Sequence, residues 1–205
     1  VELGTPTARH PHMPRQSPAE NRADIEAASA RFTAELGAAP RLFAYPYGEY
    51  DLTSQELVEE LGFALAFSQH SGAIDMARAR REPRLRYALP RFVLNEKYGQ
   101  PDRFLLAVNS LPLPVDGETP GSPVIGAAAE AVTFAFMVEE AAGDLAPLRC
   151  YANWGGAPQV KQDGRRVSVR VAPAPGIGRW RVNCTLPAGG GRWYWYARLF
   201  VRLPD

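Results

Sequence analysis

The first half of the chain alternates short apolar runs with segments in which apolar residues recur at helical spacing. Ser17-Pro18-Ala19-Glu20 has the form of a capping box with proline at the first helical position. The residues that then recur every three or four positions are Ile25, Ala28, Phe32 and Leu36. The pattern predicts a helix that begins after Ser17, buries this stripe and ends at Gly37.

Three apolar runs around this helix and a second one predict strands at Val1–Gly4, 41–45 and 63–67. The second helix begins near Thr53, turns Leu57 and Leu61 inward, and ends at Gly62. Strand, helix, strand, helix, strand with short connections is typical of parallel strands joined by right-handed crossovers. Functional loops are then expected at the carboxyl ends of the strands, as in α/β barrels.

The second half follows a different period. Residues 111–127 contain four prolines and three glycines, which favours an irregular linker. Beyond it, apolar and polar residues alternate in five runs separated by Gly, Pro and Asp turns, which predicts antiparallel strands at 132–138, 148–152, 165–172, 179–186 and 192–203. The expected architecture is therefore α/β followed by all-β: a partial (β/α) barrel over 1–112, a linker over 113–126 and an antiparallel β-sandwich over 127–205.

Strand phase assigns the inward residues of the predicted sandwich. In the last run we expect Trp193, Trp195, Ala197, Leu199, Val201 and Leu203 to face the core and Tyr194, Tyr196, Arg198, Phe200 and Arg202 to face outward. Trp180 is also assigned to the core. Cys150 and Cys184 fall on inward positions, so a disulfide joining the two sheets fits the phase. Two buried free thiols are the alternative.

Composition excludes some classes of partner. The chain has 205 residues, a formal net charge of +1 and a mean hydropathy of -0.24. No block of like charge is available to coat a nucleic acid, and no apolar run approaches the roughly 20 residues of a membrane span. The chain opens with Val1 directly in a predicted strand, and we interpret it as the C-terminal part of a longer protein.

Few residues are candidates for chemistry. His10 and His12 follow the first predicted strand, and Pro46-Tyr47-Gly48 follows the second, where a backbone N–H can project into an oxyanion hole. An inert surface histidine and an ordinary turn are the alternatives, and His70 is interpreted as inert. Trp154, in a glycine-rich loop, is either a stacking surface for a sugar ring or a packing residue.

The order of these motifs resembles the polysaccharide deacetylases of the carbohydrate esterase type. The second motif of that family, V-E-I-G-S-H-T-x-x-H-P-H, is similar to residues 1–12, and its third motif is similar to 43–48. Weaker blocks match 61–63 and 89–92. The resemblance implies a divalent metal, usually zinc, with His10 as one ligand, the N–H of Tyr47 as the oxyanion donor, and Tyr45 and Pro46 beside the substrate.

The chain departs from the family pattern in three places. The first histidine ligand falls on Pro6, which cannot bind a metal, and His12 is the candidate replacement although residues two apart in an extended loop point different ways. The family's aspartate motif belongs to a strand upstream of Val1, and its late leucine-x-histidine motif has no match. We therefore expect this chain alone to be inactive and to hold zinc weakly or not at all.

The function implied is metal-dependent hydrolysis of N-acetyl groups on an amino-sugar polymer, in the periplasm, at the cell surface or after secretion from a bacterium. Expected partners are a polysaccharide or oligosaccharide and no nucleic acid; the sequence leaves the oligomeric state open. Two alternatives stay open: a catalytically inactive protein that only binds glycan, and a structural or adhesive surface module.

Overall fold

The computed structural model describes residues 2–96 and 98–204, which form two compact units. The first comprises the chain up to Gln69 together with Met76–Leu89, and the second comprises His70–Asp75 and the described chain from Pro90 onward. The helices are α1 (Pro18–Leu36), α2 (Leu52–Glu60), α3 (Met76–Arg81) and α4 (Pro101–Asn109). The strands are β1 (Leu42–Ala44), β2 (Leu65–Phe67), β3 (Leu111–Pro112), β4 (Val115–Thr119), β5 (Val124–Ile125), β6 (Val132–Val138), β7 (Arg149–Ala152), β8 (Gln159–Asp163), β9 (Arg166–Val171), β10 (Gly178–Gly189) and β11 (Arg192–Arg202).

Helix α1 begins and ends where the sequence predicts. Ser17 and Glu20 exchange the two hydrogen bonds of a capping box, and Gly37 ends the helix in the left-handed conformation. The prediction that the apolar stripe is buried is wrong for the last turn of α1, because Leu36 is 52% exposed. The buried side chains of α1 are instead Asn21, Asp24 and Ile25, near its amino end.

Helix α2 is capped two positions earlier than expected. Asp51, rather than Thr53, accepts the backbone N–H of Ser54, and the Ser54 hydroxyl group accepts the N–H of Asp51 in return. Leu57 is buried as expected. The helix packs against α1, and both helices contribute side chains to a core that includes Phe43 of β1 and Ala66 of β2.

The strands of the first unit are parallel, and β1 pairs with β2 in the register Phe43↔Ala66. Isolated parallel bridges extend the pairing on both sides, from Thr5 to Phe43 and from Phe67 to Leu89. The predicted first strand is wrong for residues 2–4, which are irregular, and Val1 lies outside the described residues. Four parallel segments in the order Thr5, β1, β2, Leu89 give the α/β character that the sequence predicts.

The second unit contains two sheets that share one hydrophobic core. One sheet has the order β3-β11-β10-β7, with β5 also on β11, and the other has the order β4-β6-β9-β8. The core includes Phe134 and Val169 from the second sheet and Leu186 and Phe200 from the first. Strand β8 is not among the strands that the sequence predicts, because only Val160 in it is partly buried.

The predicted linker is part of this core. Residues 111–125 pass from β3 to β4 in the other sheet and back to β5, and Leu113 and Val115 are buried. Pro114, Pro120 and Pro123 fall between these short strands, whereas Pro112 lies in β3 and Gly117 lies at the register shift within β4. The expectation of an irregular segment over 113–126 is therefore wrong, and the compact unit begins at Pro90 rather than at 127.

The predicted phase of β11 is wrong. Tyr196 and Phe200 lie in the shared core with Tyr194 packed against it, while Trp193 is 39% exposed. Arg198, expected outside, is buried, donates to the carbonyl of Pro120 and faces Glu118 at 3.6 Å. Both faces of this strand carry aromatic residues, so period-two alternation does not distinguish them.

Cys150 and Cys184 form a disulfide, as strand phase indicates. They are directly opposed residues of the neighbouring strands β7 and β10. The expectation that the bridge joins the two sheets is therefore wrong, because both cysteines belong to one sheet. Within the described residues, no helix is both long and apolar enough to span a bilayer.

Candidate functional site

The loop that carries His10 and His12 is tied to the start of α1. The carboxylate of Asp24 accepts hydrogen bonds from the side chain of Arg9 at 2.7 Å and from its backbone N–H at 3.2 Å. Burial alone raises the pKa of Asp24, but the hydrogen bonds from Arg9 outweigh it and the net pKa is lowered. The loop is thereby held beside the carboxyl end of β1.

Tyr47 lies at the centre of the site in the short turn Pro46–Gly48. Its φ of 55° is in the left-handed region, and Gly48 follows with a φ of 70°. A Cβ atom at Gly48 would lie 2.2 Å from the backbone nitrogen of Gln69, so only glycine fits there. The turn presents the ring of Tyr47 to solvent, with 44% of the residue exposed.

Two imidazole rings contact the ring of Tyr47. His12 stacks on it with the centroids 4.2 Å apart and the planes 11° from parallel. His10 meets it edge-on, with the centroids 4.7 Å apart, and also has a positive φ of 56°. The backbone N–H of His10 donates to the hydroxyl of Thr7. Strained backbone at both His10 and Tyr47 is typical of functional loops.

Glu49 is a member of this cluster that the sequence did not predict. Its side chain is 4% exposed, and its Oε2 lies 2.7 Å from Nδ1 of His12. A carboxylate at this nitrogen favours the tautomer with the proton on Nδ1, so Nε2 is the nitrogen left with a lone pair. Only the position of Glu49 directly after Pro46-Tyr47-Gly48 marks it in the sequence.

The other predicted substrate contacts lie in packed surroundings. Tyr45 is 2% exposed, contacts Phe43 and Tyr50, and has a pKa raised well above its usual value by burial. Pro46 is buried as well. Trp154 is part of the core of the second unit and donates its indole N–H to the carbonyl of Pro173. For Trp154 the structure therefore supports the packing interpretation. It does not support direct contact of any of these three side chains with substrate.

The described residues do not by themselves fit a zinc ion. Zinc sites in proteins use three or four side-chain ligands. Pro6 stands exposed at the position where the resemblance places a histidine. In residues 2–96 and 98–204 there is no group of three His, Cys, Asp or Glu side chains placed to hold a metal.

His70 belongs to the second unit and is buried. Its Nδ1 has no hydrogen-bond partner among the described residues. Burial lowers its pKa to about 4; Glu118 acts in the opposite direction and Arg181 in the same direction. His70 is thus a neutral side chain in a packed environment at neutral pH. That it has no chemical role stays a prediction from the sequence.

Comparison with known proteins agrees with this arrangement. Residues 1–66 match the family model for polysaccharide deacetylase, which confirms the resemblance and covers His10, His12, Tyr47 and Glu49. The first unit thus has a deacetylase-type fold. The second unit lies outside the residues that the family model matches.

Among the solved structures similar to the chain is the Streptococcus pyogenes deacetylase PplD in complex with acetate. The sequences are 19% identical, the TM-score is 0.44, and the similarity covers 51% of this chain and 43% of that one. The chain thus aligns with less than half the length of that deacetylase. Among curated proteins, none matches the chain.

Proposed function

We propose that the first unit forms part of the site of a polysaccharide deacetylase that removes N-acetyl groups from an amino-sugar polymer. The observation that supports the proposal most is the cluster in which His10 and His12 contact the ring of Tyr47 at the carboxyl end of β1. The family match over this same segment supports the reaction class. An extracytoplasmic location is part of the proposal, supported by the disulfide.

Each residue of the cluster has a role in this proposal. The backbone N–H of Tyr47 donates to the oxygen of the acetamide carbonyl as negative charge develops on it. Glu49 holds the ring of His12 by its Nδ1, so that Nε2 is the nitrogen left for the reaction. The ring of Tyr47 provides an aromatic surface against which the sugar packs.

Acetate release tests the reaction. We expect the complete gene product to release acetate from a fully N-acetylated oligosaccharide, and His10→Ala to lower kcat/KM by about 100-fold or more. Arg15→Ala, an exposed residue of the same loop, is the matched control and should retain activity. Acetate release that is unchanged in His10→Ala would contradict the assignment of the site.

Metal retention tests the consequence of Pro6 separately from activity. We expect the 205-residue chain to retain less than one zinc ion per chain after dialysis, because Pro6 contributes no ligand and two imidazoles do not make a zinc site. In the complete gene product, Pro6→His should raise the affinity for zinc. Elemental analysis of dialysed protein measures both, and stoichiometric zinc in the 205-residue chain would contradict the expectation.

A second candidate function is favoured by the same proline. If the site holds no metal, the cluster around Tyr47 still offers an aromatic surface, and the protein binds glycan without hydrolysing it. A complete gene product that binds the N-acetylated oligosaccharide and releases no acetate would establish this alternative.

A further inference from the structure

The two lateral sides of the two-sheet unit differ. On one side, residues 111–125 connect the sheets: β3 pairs with β11, β4 pairs with β6 of the other sheet, and β5 pairs with β11 again. On the other side, each sheet ends in an edge strand, β7 in one and β8 in the other. Within the described part of the chain, neither edge is covered by a further strand.

A groove lies between these two edges. Its volume is about 820 Å³, within the range of about 300–1,000 Å³ typical of ligand sites. Its apolar lining includes Leu148, Ala152 and Val160, and its polar lining includes Arg149, Tyr151 and Gln162. An apolar floor with a few polar groups at the rim is the usual composition of a site for a small molecule or a short oligomer.

Tyr151 is the most exposed aromatic residue of the groove, with 57% of its surface accessible. It lies on the outward face of β7, next to the strand edge whose backbone groups face away from β10. Aromatic faces pack against the apolar faces of sugar rings, and backbone N–H and C=O groups can bond to sugar hydroxyls and acetamides. The groove therefore combines the two kinds of contact that a glycan uses.

The charge of the lining distinguishes between two forms of the glycan. Arg149 is the one charged side chain among the described lining residues, and its Nη1 is fixed by the carbonyls of Ala146 and Leu148. Within residues 2–96 and 98–204, no carboxylate lines the groove. An N-acetylated sugar is neutral, whereas the deacetylated sugar carries an ammonium group that Arg149 would repel.

We propose that this groove binds the N-acetylated polysaccharide in preference to its deacetylated product. The proposal rests on the proposed function, because it takes the polymer of that reaction as its occupant. The second unit would thereby hold the protein on stretches of polymer that have not yet reacted and release the stretches that have.

Calorimetric titration of the 205-residue chain with N-acetylglucosamine tetramer and with the fully deacetylated tetramer tests the proposal. We expect the deacetylated tetramer to bind about tenfold more weakly. Tyr151→Ala should weaken binding of the acetylated tetramer by about tenfold, while Tyr98→Ala, an exposed tyrosine of the same unit outside the groove, should leave it unchanged. Ala157→Glu adds a carboxylate at an exposed lining position and should shift the preference toward the deacetylated tetramer.

The outcomes separate this proposal from the proposed function. Equal affinity for the two tetramers, or binding unaffected by both Tyr151→Ala and Ala157→Glu, would overturn the assignment of the groove, as would a groove that takes a peptide strand along β7 and no glycan. If the complete gene product still releases acetate in that case, the proposed function stands. Binding with the predicted preference, together with no acetate release by the complete gene product, would leave the groove assigned and refute the reaction.

Discussion

Breaking the disulfide between Cys150 and Cys184 is expected to lower the free energy of unfolding by about 3–4 kcal/mol. The bridge closes a loop with a sequence separation of 34 residues, and opening it restores conformational freedom to the unfolded chain. Urea unfolding of the oxidised chain and of the Cys150→Ala/Cys184→Ala variant measures the difference. The small buried replacement avoids placing a polar group in the core.

Two controls accompany this measurement. A reducing agent should destabilise the wild-type chain and leave the double variant unchanged. Thiol titration of the denatured, unreduced wild-type chain should find no free thiol, since both cysteines are paired. Two reactive thiols in that sample would contradict the prediction.

Acidification is expected to destabilise the chain through His70, by up to about 3 kcal/mol between pH 6.5 and pH 4. The pKa of His70 is lowered to about 4 in the folded chain, against about 6.5 when unfolded. The unfolded chain therefore takes up a proton first as the pH falls, and the loss grows until the pH reaches the folded pKa. At pH values well above 6.5 both states are neutral at this residue and it gives no pH dependence.

His70→Gln isolates this contribution, because glutamine is polar and does not titrate. Its free energy of unfolding should fall less steeply than that of the wild type between pH 6.5 and pH 4. His70→Asn, which also removes the titrating ring, is a second variant and should show the same shallower slope. Parallel curves for the wild type and His70→Gln would refute the assignment.

Local signals predicted the elements of the first unit better than their packing. The capping box of Ser17 and Glu20 and the stop at Gly37 act within one turn of helix, so the sequence shows them directly. Burial of Leu36 depends on what lies beside the end of the helix. The spacing of apolar residues along the sequence carries no information about that neighbour. The same limit explains why β8 and the strands within 113–126 were missed, since each is short and defined by its partners in space.

The candidate site was predicted in part for the same reason. His10, His12 and Tyr47 were found because their motifs lie at the ends of consecutive strand segments, and the structure brings all three together. The bond from His12 to Glu49 spans 37 positions and becomes visible only when β1 pairs with the Thr5 segment. For Trp154, the position in the sequence did not decide between stacking on a sugar and packing in the core.

The pairing of β11 with both β3 and β5 affects the order in which the second unit assembles on the ribosome. β11 is the last strand that the structure describes, yet β3 and β5 pair with it, as does β10 on its side away from β7. β3 and β5 are synthesised well before β11, so they have no pairing partner while the chain emerges. Their apolar residues stay exposed during that interval. Ribosome-bound chains that stop before β11 should thus be protease-sensitive from residue 111 onward, even where β6 and β9 have already paired.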